Sequence, residues 1–306
     1  MNHTKEYVGR LAPSPTGALH LGNVRTFMIA WLRARTQGGR VVFRMEDLDH
    51  PRDKPGAAVE TVEELRWLGF DWDEEHVQSE RREVYRAALE RLKSAGLVYP
   101  CVCSRKDVEA AQSAPHEGEQ LFYPGTCRGR FANWEEAAAV RPPCWRFRVA
   151  ENSLVEFEDV FAGLYKQDVA KTLGDFPLAR DVDGAGYTLA AVVDDAAMGI
   201  TEVVRGDDLL PATPAQIIIQ RALDLPPVAY CHVPLAVGPD GHRLAKRHGD
   251  TRIASFREAG WEPERLIGFI AASCGFGDGH PRRLVDLIPD FSLSLIPHTP
   301  WIVDMP

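Results

Sequence analysis

Short apolar runs and amphipathic helical segments alternate along most of this chain, and this alternation limits the fold more than any other feature of the sequence. Apolar residues at helical spacing predict helices over 21–36, 57–68, 82–95, 213–223 and 263–274. Runs of consecutive apolar residues predict strands over 7–11, 41–43, 189–193, 202–204 and 233–237. A chain that alternates in this way folds as an α/β protein, and we expect a doubly wound parallel sheet.

The segment between the first predicted strand and the first predicted helix is suited to holding an anion. Its prolines and small residues (Pro-Ser-Pro-Thr-Gly-Ala at 13–18) end the strand, and His20 stands where the helix begins. We expect backbone N–H groups and the helix dipole at this point to attract negative charge. Gly17 and Gly22 would let a flat ligand approach the backbone closely. The same residues would also serve an ordinary strand-helix connection in which His20 only caps the helix.

A second candidate segment is a basic loop between Gly241 and Gly249, with Arg243 near its start and Lys246 at its centre. Taken by itself, such a loop is typical of a solvated surface turn. Taken with the first segment, it supplies a mobile lysine opposite His20. A histidine at a helix start and a mobile lysine are the two groups needed to hold the phosphates of ATP from two sides.

With both segments present in this order, the sequence resembles the class I aminoacyl-tRNA synthetases. Residues 20–23 (His-Leu-Gly-Asn) stand where that family has its HIGH motif, and residues 243–247 (Arg-Leu-Ala-Lys-Arg) stand where it has KMSKS. Residues 10–17 (Arg-Leu-Ala-Pro-Ser-Pro-Thr-Gly) and 44–47 (Arg-Met-Glu-Asp) narrow the resemblance to the glutamyl branch. The resemblance implies a Rossmann-type catalytic domain in which the carboxylate of an amino acid attacks the α-phosphorus of ATP, forming an aminoacyl-adenylate and releasing pyrophosphate.

The two motifs depart from the family pattern at Asn23, Arg243 and Ala245, whereas the central Lys246 is retained. The resemblance implies that ATP is bound by His20, Gly22, Asn23, Arg243 and Lys246. This chemistry needs positioning and charge stabilisation but no protein nucleophile. We expect His20 and Lys246 to be the catalytic residues, the first donating to phosphate oxygens and the second stabilising the departing pyrophosphate. Mg2+ should accompany ATP, held mainly by phosphates and water.

Glutamate carries two carboxylates and one ammonium group, so its pocket should contain arginines and at least one acid. Arg10 can form a planar bidentate contact with a carboxylate. Glu46 follows a buried strand, at the end where ligands of open α/β sheets bind. The resemblance implies a glutamate site made of Arg10, Leu11, Ala12, Pro13, Ser14, Glu46, Tyr187 and Arg205. Without it, a strand-end salt bridge would be the favoured interpretation of Glu46 and Arg205.

Three of the six cysteines, Cys101, Cys103 and Cys127, form a cluster of soft ligands suited to tetrahedral zinc. Their spacing fits unpaired thiols equally well, and it leaves the fourth ligand open between Tyr123, His116, Cys144 and water. The short paralogues of the glutamyl branch, the glutamyl-queuosine tRNA(Asp) synthetases, carry a Cys-x-Cys…Tyr-x-x-x-Cys zinc site. This resemblance implies one structural Zn2+ on Cys101, Cys103, Tyr123 and Cys127. It leaves Cys144, Cys231 and Cys274 as core thiols.

The expected organisation is the first half of the catalytic domain (1–97), a zinc-binding connective insertion (98–150), the second half with the lysine loop (151–250) and a short helical extension with a proline-rich tail (251–306). We expect no anticodon-binding domain after the lysine loop. The resemblance to the short paralogues therefore implies tRNA-independent activation of glutamate and its transfer to queuosine, at the first anticodon position of tRNA(Asp). The alternatives are a truncated glutamyl-tRNA synthetase that charges a tRNA 3′ end and a non-catalytic zinc-containing RNA-binding module.

Length and composition agree with an enzyme of the cytoplasm. The 306 residues contain no apolar run near the roughly 20 needed to span a bilayer, and the N-terminus has no secretory pattern, so we expect no membrane partner. A net charge of −9 argues against a nucleic-acid partner, but arginines cluster locally, as at 81–86 and 146–148. One basic face is enough to bind RNA. We expect a monomer.

Overall fold

The computed structural model describes residues 6–15, 17–48, 55–111, 121–181, 184–242, 244 and 250–303. Within them the strands are β1 Val8–Leu11, β2 Arg40–Met45, β3 Glu74–Val77, β4 Val98–Cys101, β5 Cys144–Phe147, β6 Leu154–Asp159, β7 Gly163–Asp168, β8 Phe176–Ala179, β9 Glu202–Gly206, β10 Ala229–Val233, β11 Ala236–Val237 and β12 Trp301–Ile302. The α-helices are α1 Leu21–Thr36, α2 Ala57–Trp67, α3 Arg82–Ser94, α4 Arg105–Ala111, α5 Trp134–Ala138, α6 Val169–Thr172, α7 Tyr187–Ala197, α8 Thr213–Ala222, α9 Ile253–Glu258 and α10 Pro263–Ser273. Among these helices, none is long and apolar enough to cross a membrane.

Two groups of parallel strands meet at the centre of the fold. Strands β1, β2 and β3 pair in that order and run parallel, while β9, β10 and β6 form a second parallel group with β7 antiparallel at its edge. The groups meet where the backbone N–H of Thr201 donates to the carbonyl oxygen of Val8 at 2.9 Å. From this junction the sheet continues through β1, β2 and β3 on one side and through β9 and β10 on the other. The order in which the chain adds strands to the sheet therefore reverses between β1 and β9. In open α/β sheets, the crevice at such a reversal is where ligands bind.

The predicted helices are confirmed with nearly the predicted bounds, and α1 matches them at both ends. Buried residues such as Val24, Met28 and Leu32 recur at helical spacing along α1 and pack it into the main core. The helix stops before Gly38, whose φ of +63° suits the left-handed turn that commonly follows a helix.

Two strand predictions are wrong in whole or in part. Residues 189–193 were expected as a strand, but they lie inside helix α7. All five are buried, and a continuous apolar run buried on every side has no periodicity that separates a strand from a helix. The predicted strand over 233–237 is two strands, β10 and β11, interrupted at Pro234, which has no N–H for a ladder.

Strands β4, β5 and β8 form a separate antiparallel sheet. A hydrophobic cluster of its own lies there, including Tyr99, Val102 and Ala137. Strand β8 joins this sheet although it follows residue 150 in the chain, through the pairing of Phe147 with Phe176. The domain boundaries given above stay predictions.

The end of the described chain packs back on the main hydrophobic core. Strand β12 pairs in parallel with β11, matching Trp301 with Ala236. The side chain of Val303 is buried, whereas that of Ile302 remains exposed. The pairing places the end of the described chain beside β11, the strand that follows β10 in the sequence.

Candidate active site and cysteine cluster

A cleft of about 420 Å3 opens at the crevice between β1 and β9, within the size range of small-molecule sites. Its lining includes most of the residues predicted for ATP and glutamate, namely Arg10, Ala12, Pro13, Ser14, His20, Gly22, Asn23, Glu46, Tyr187 and Arg205. They come from β1 and the turn after it, the start of α1, the residue after β2, the start of α7, and β9. The fold thus brings together groups that lie far apart in the sequence.

Three predicted residues are not in this lining. Leu11 is fully buried in the main core, so only its backbone could contact a ligand. Arg243 and Lys246 lie outside the described residues. Their contact with ATP therefore stays a prediction.

His20 caps helix α1 with its own ring. Its Nδ1 accepts hydrogen bonds from the backbone N–H groups of Gly22 (3.1 Å) and Asn23 (3.3 Å), and the side-chain oxygen of Asn23 accepts from the His20 backbone at 3.2 Å. A neutral imidazole that accepts at Nδ1 carries its proton on Nε2, so the ring can donate from that nitrogen to a phosphate oxygen. A Cβ at position 22 would lie 3.1 Å from the His20 ring, so glycine leaves the ring in place.

The expectation that backbone N–H groups of the first helical turn would meet the anion is wrong. Besides the two that the His20 ring takes, the N–H of Leu21 donates to the carbonyl oxygen of Thr251 and that of Val24 to the carbonyl oxygen of His20. An anion at this helix start would therefore meet the ring N–H and the positive end of the helix dipole.

A buried arginine holds the charged groups of the cleft together. Arg44 on β2 is fully buried, and it donates to Oε1 of Glu46 at 2.9 Å and to Oδ1 of Asp195 at 2.7 Å. Asp195, on α7, lies 3.5 Å from Nε of Arg10. Arg10 and Glu46 therefore belong to one buried ion-pair network in which each charge has a partner of opposite sign.

A second carboxylate on α7 anchors that helix. Asp194 is fully buried and accepts hydrogen bonds from Gln78 (2.9 Å), Arg81 (2.8 Å) and Tyr85 (2.7 Å). These donors lie on the chain leading into α3 and on α3 itself. The contacts fix α7, whose first residue, Tyr187, lines the cleft.

Burial also shifts the pKa values of two side chains in the cleft, Glu46 and Tyr187. It raises the pKa of Glu46 above its ordinary value, and the positive charges of Arg44 and Arg10 oppose that rise. Loss of solvent around its hydroxyl, together with the charge of Glu46, raises the pKa of Tyr187. The cleft thus presents buried guanidinium groups, one buried acid and a neutral phenol.

Arg205, on β9, is held by three side-chain acceptors. Its Nε donates to Nε2 of His232 at 2.9 Å, and its NH2 group donates to Oγ1 of Thr213 at 2.7 Å and to Oε1 of Gln216 at 2.8 Å. The other ring nitrogen of His232 bonds to Asp159 at 2.6 Å. All five side chains are buried. The protein itself therefore sets the orientation of this guanidinium.

The predicted metal ligands come together beside the separate antiparallel sheet, where β4 ends at Cys101. The Sγ atoms of Cys101, Cys103 and Cys127 lie within 4.8 Å of one another. Oη of Tyr123 is 3.3 Å from the sulfur of Cys101 and 3.8 Å from that of Cys103. A tetrahedral ion with metal–sulfur bonds of about 2.3 Å holds its sulfurs about 3.8 Å apart. This cluster could therefore bind a metal ion.

Cys144 lies beside this cluster. Cys144 stands opposite Cys101 where strands β4 and β5 pair. The hydrogen bond between the two thiols, together with the charge of Arg146, lowers the pKa of Cys101. The thiolate is the form of cysteine that binds metals. The other two cysteines are buried in the main core, as expected.

A family profile described as "tRNA synthetases class I (E and Q), catalytic domain" matches residues 6–287. The chain belongs to this family. A relative named "Glutamyl-Q tRNA(Asp) synthetase" from Symbiobacterium thermophilum is 46% identical over 95% of this chain and 94% of its own length. Another of that name, from Rhodopirellula baltica, is 47% identical over 88% of this chain and 85% of its own. The chain is therefore a ligase of the class I synthetase type.

Solved structures agree with this assignment. A glutamate tRNA ligase from Elizabethkingia meningosepticum, crystallised in complex with its amino acid, has a TM-score of 0.82 and 26% sequence identity. The alignment covers 97% of this chain and 67% of that ligase. The mixed α/β catalytic domain with its parallel sheet is thus confirmed as a class I synthetase fold.

Sequence reasoning missed the buried residues that hold the predicted ligand-binding side chains of the cleft in place. Arg44 carried a usable signal, because it is a charge inside the apolar run of β2. The same holds for Asp194 and Asp195, which interrupt the apolar run of α7. No sequence signal joins Asp159 to His232, because only the pairing of β6 with β10 brings them together.

Proposed function

We propose that this protein activates glutamate with ATP, without tRNA, and transfers the glutamyl group to queuosine at the first anticodon position of tRNA(Asp). The observation that carries the proposal is the combination, in one cleft, of buried Arg10, Arg205 and Glu46 beside the start of α1. These are the charges that complement two carboxylates and one ammonium group. Relatives named glutamyl-Q tRNA(Asp) synthetase, matched over nearly their whole length, support the choice of acceptor.

In the proposed glutamate complex, the substrate carboxylates face Arg10 and Arg205, and the ammonium group faces Glu46. Each of these side chains is less than one-tenth exposed, so their hydrogen bonds with the substrate form with little competition from water. Both hydrogen bonds from Arg44 to Glu46 use Oε1, which leaves Oε2 as the acceptor for the ammonium group. Ser14 and Tyr187 would supply neutral hydroxyls from the cleft lining.

ATP would lie over the start of α1, against Gly22 and Asn23, with Nε2–H of His20 donating to its phosphate oxygens. Arg243 and Lys246 would approach from the opposite side, and Lys246 would stabilise the charge on departing pyrophosphate. Mg2+ would arrive with the nucleotide. The glutamate carboxylate would attack the α-phosphorus directly, so the side chains contribute position and charge and no covalent intermediate on the protein.

The second step would use glutamyl-adenylate as the donor. A hydroxyl of the cyclopentene-diol of queuosine would attack the activated carbonyl carbon, an ester bond would form, and AMP would leave. The support for queuosine and tRNA(Asp) comes from the names of the relatives.

We further propose that the cysteine cluster holds one structural Zn2+ through Cys101, Cys103, Cys127 and Tyr123. The sulfur and oxygen separations fit a tetrahedral donor set. Burial and the hydrogen bond with Cys101 raise the pKa of Tyr123, so the phenol would have to release its proton to the solvent when the metal binds. The position of the cluster beside the separate antiparallel sheet, outside the cleft lining, favours a structural role.

The activation step is tested by amino-acid-dependent exchange of labelled pyrophosphate into ATP with no tRNA present. Glutamate should support exchange. Glutamine has the same shape but no side-chain charge, so we expect it to support exchange at least about tenfold less well, given the value of a charged hydrogen bond. Absence of exchange with glutamate, or exchange that begins only when tRNA is added, would contradict the proposal.

A further inference from the structure

The buried contacts of Arg205 leave it one nitrogen for a ligand. Nε and NH2 are committed to His232, Thr213 and Gln216. In the part of the chain that the structure describes, no hydrogen bond from NH1 is present. The face of the guanidinium also lies over the ring of Tyr230, at 5.4 Å. The direction of NH1 therefore depends on how well the protein holds the other two nitrogens.

Of the three acceptors, His232 is the one whose role is set by which of its two ring nitrogens carries the proton. An imidazole nitrogen accepts a hydrogen bond only when its proton is on the other nitrogen. Arg205 always donates, because guanidinium has no acceptor. Nε2 of His232 must therefore be unprotonated for the 2.9 Å contact to form, and the proton must be on Nδ1.

Asp159 enforces this tautomer. Its Oδ2 lies 2.6 Å from Nδ1 of His232. Its Oδ1 accepts from the backbone N–H groups of Phe161 (3.0 Å), Ala162 (2.8 Å) and His232 (3.1 Å). A carboxylate accepts and does not donate, so Nδ1 carries the proton. The ring stays neutral, because burial and the charge of Arg205 lower the pKa of His232 against the opposing pull of Asp159.

We propose that Asp159 and His232 are positioning residues for Arg205, which receives a carboxylate of the substrate. The carboxylate of Asp159 fixes the tautomer of the His232 ring, and the ring fixes the orientation of the Arg205 guanidinium. This inference rests on the proposed function, because it takes glutamate as the ligand of Arg205. The three side chains come from β6, β10 and β9, which are adjacent strands. The central sheet itself thus transmits the orientation from Asp159 to the cleft.

The substitution Asp159→Asn tests this relay without removing volume. Three backbone N–H groups surround Oδ1, so the asparagine carbonyl oxygen should occupy that position and its NH2 group should face Nδ1. The ring would then have to accept at Nδ1 and carry its proton on Nε2. Nε2–H of His232 would then face Nε–H of Arg205, and its nearest acceptor would be Oγ1 of Thr213 at 3.1 Å, which already accepts from Arg205. Arg205 would lose its acceptor at Nε, and the guanidinium would turn away.

The tautomer is read directly by long-range 15N–1H correlation spectra of protein labelled at its ten histidines, with the signal of His232 assigned by its loss in His232→Gln. We expect the Nδ1–H tautomer in the wild type and the Nε2–H tautomer in Asp159→Asn. In the exchange assay, Asp159→Asn should raise the KM for glutamate by about tenfold to a hundredfold, the value of a lost hydrogen bond to a charged group. The KM for ATP should change by less than about twofold.

Substitutions of the ring give a second measurement if Asp159→Asn folds poorly. His232→Gln keeps an acceptor oxygen for Arg205, whereas His232→Leu removes it, so the glutamate KM of the first should lie closer to the wild type. The control is Asp73→Asn, which also replaces a carboxylate that accepts a backbone N–H and pairs with an arginine but does not line the cleft. It should leave the glutamate KM unchanged.

Three results would overturn the relay. They are an Nε2–H tautomer in the wild type, a switched tautomer in Asp159→Asn with an unchanged glutamate KM, and equal changes in the KM values for glutamate and ATP. Failure of the proposed function looks different, because the wild type would then show no glutamate-dependent exchange at all.

Discussion

Replacement of the buried Arg44 by methionine should destabilise the protein strongly and in a pH-dependent way. Arg44 is fully buried and pairs with Glu46 and Asp195. Methionine keeps an unbranched apolar stem but lacks the guanidinium, so the main effect is the loss of a cation between two buried carboxylates. Removal of one partner from a buried ion pair costs about 3–5 kcal/mol. For a chain of 306 residues, that corresponds to a fall in Tm of about 5–8 °C.

The pH dependence follows from Glu46. Burial already raises its pKa, and Arg44 is the main group that opposes the rise, so the pKa in the folded variant should be higher still. The folded state would then hold a proton that the unfolded state releases above its ordinary pKa of about 4.3. Stability would therefore fall as pH rises from about 4 towards the folded-state pKa. The Tm deficit of Arg44→Met should be smaller at pH 5 than at pH 8.

Differential scanning calorimetry of both proteins at the two pH values measures this effect. Arg40→Met on the same strand is the matched control, because Arg40 pairs with Glu6 and Glu74 at a partly exposed site. Such surface pairs contribute less than about 1 kcal/mol. A Tm deficit of Arg44→Met no larger than that of Arg40→Met, or one equal at pH 5 and pH 8, would refute the reasoning.

Three further predictions test the cleft and the cysteine cluster. Lys246→Ala should slow glutamate-dependent pyrophosphate exchange by about a hundredfold or more, as the loss of a transition-state donor does, and unchanged exchange would remove its assigned role. Arg10→Ala should raise the KM for glutamate at least about tenfold with little effect on the KM for ATP, and equal effects on both would place Arg10 outside the glutamate pocket. Elemental analysis should find about one zinc per purified chain, lost when Cys101 and Cys103 are replaced by serine and kept in Cys274→Ser. A wild type that is well folded without metal would contradict the zinc site.

The amphipathic elements could be predicted from the sequence because one face of each is polar. Helix α3 was expected over 82–95 and spans Arg82–Ser94 for this reason, because its buried residues lie on one face and its charged residues on the other. Helix α7 was mistaken for a strand in its middle, where residues 189–193 are buried on all sides. In such a segment, tertiary packing decides between helix and strand, and the local pattern carries no information about it.

The cleft residues were recognised through motifs, but the groups that support them were not. His20 illustrates the limit, because the sequence left open whether it caps the helix or serves the phosphates. The structure shows that it caps α1 through Nδ1, which fixes the proton on Nε2, so the cap prepares the ring to donate. The relay of Asp159 and His232 depends on the pairing of β6 with β10. Strand pairing over such a distance in the sequence cannot be read from either strand alone.

The position of the glutamyl label on tRNA tests the central claim most directly. Enzyme, ATP and labelled glutamate would be incubated with tRNA(Asp) that contains queuosine, with the same tRNA lacking it, and with tRNA(Glu), and each product would be digested and mapped. The account predicts label only on the anticodon fragment of the queuosine-containing tRNA(Asp). Label on the 3′-terminal adenosine of tRNA(Glu), or on tRNA(Asp) without queuosine, would contradict it.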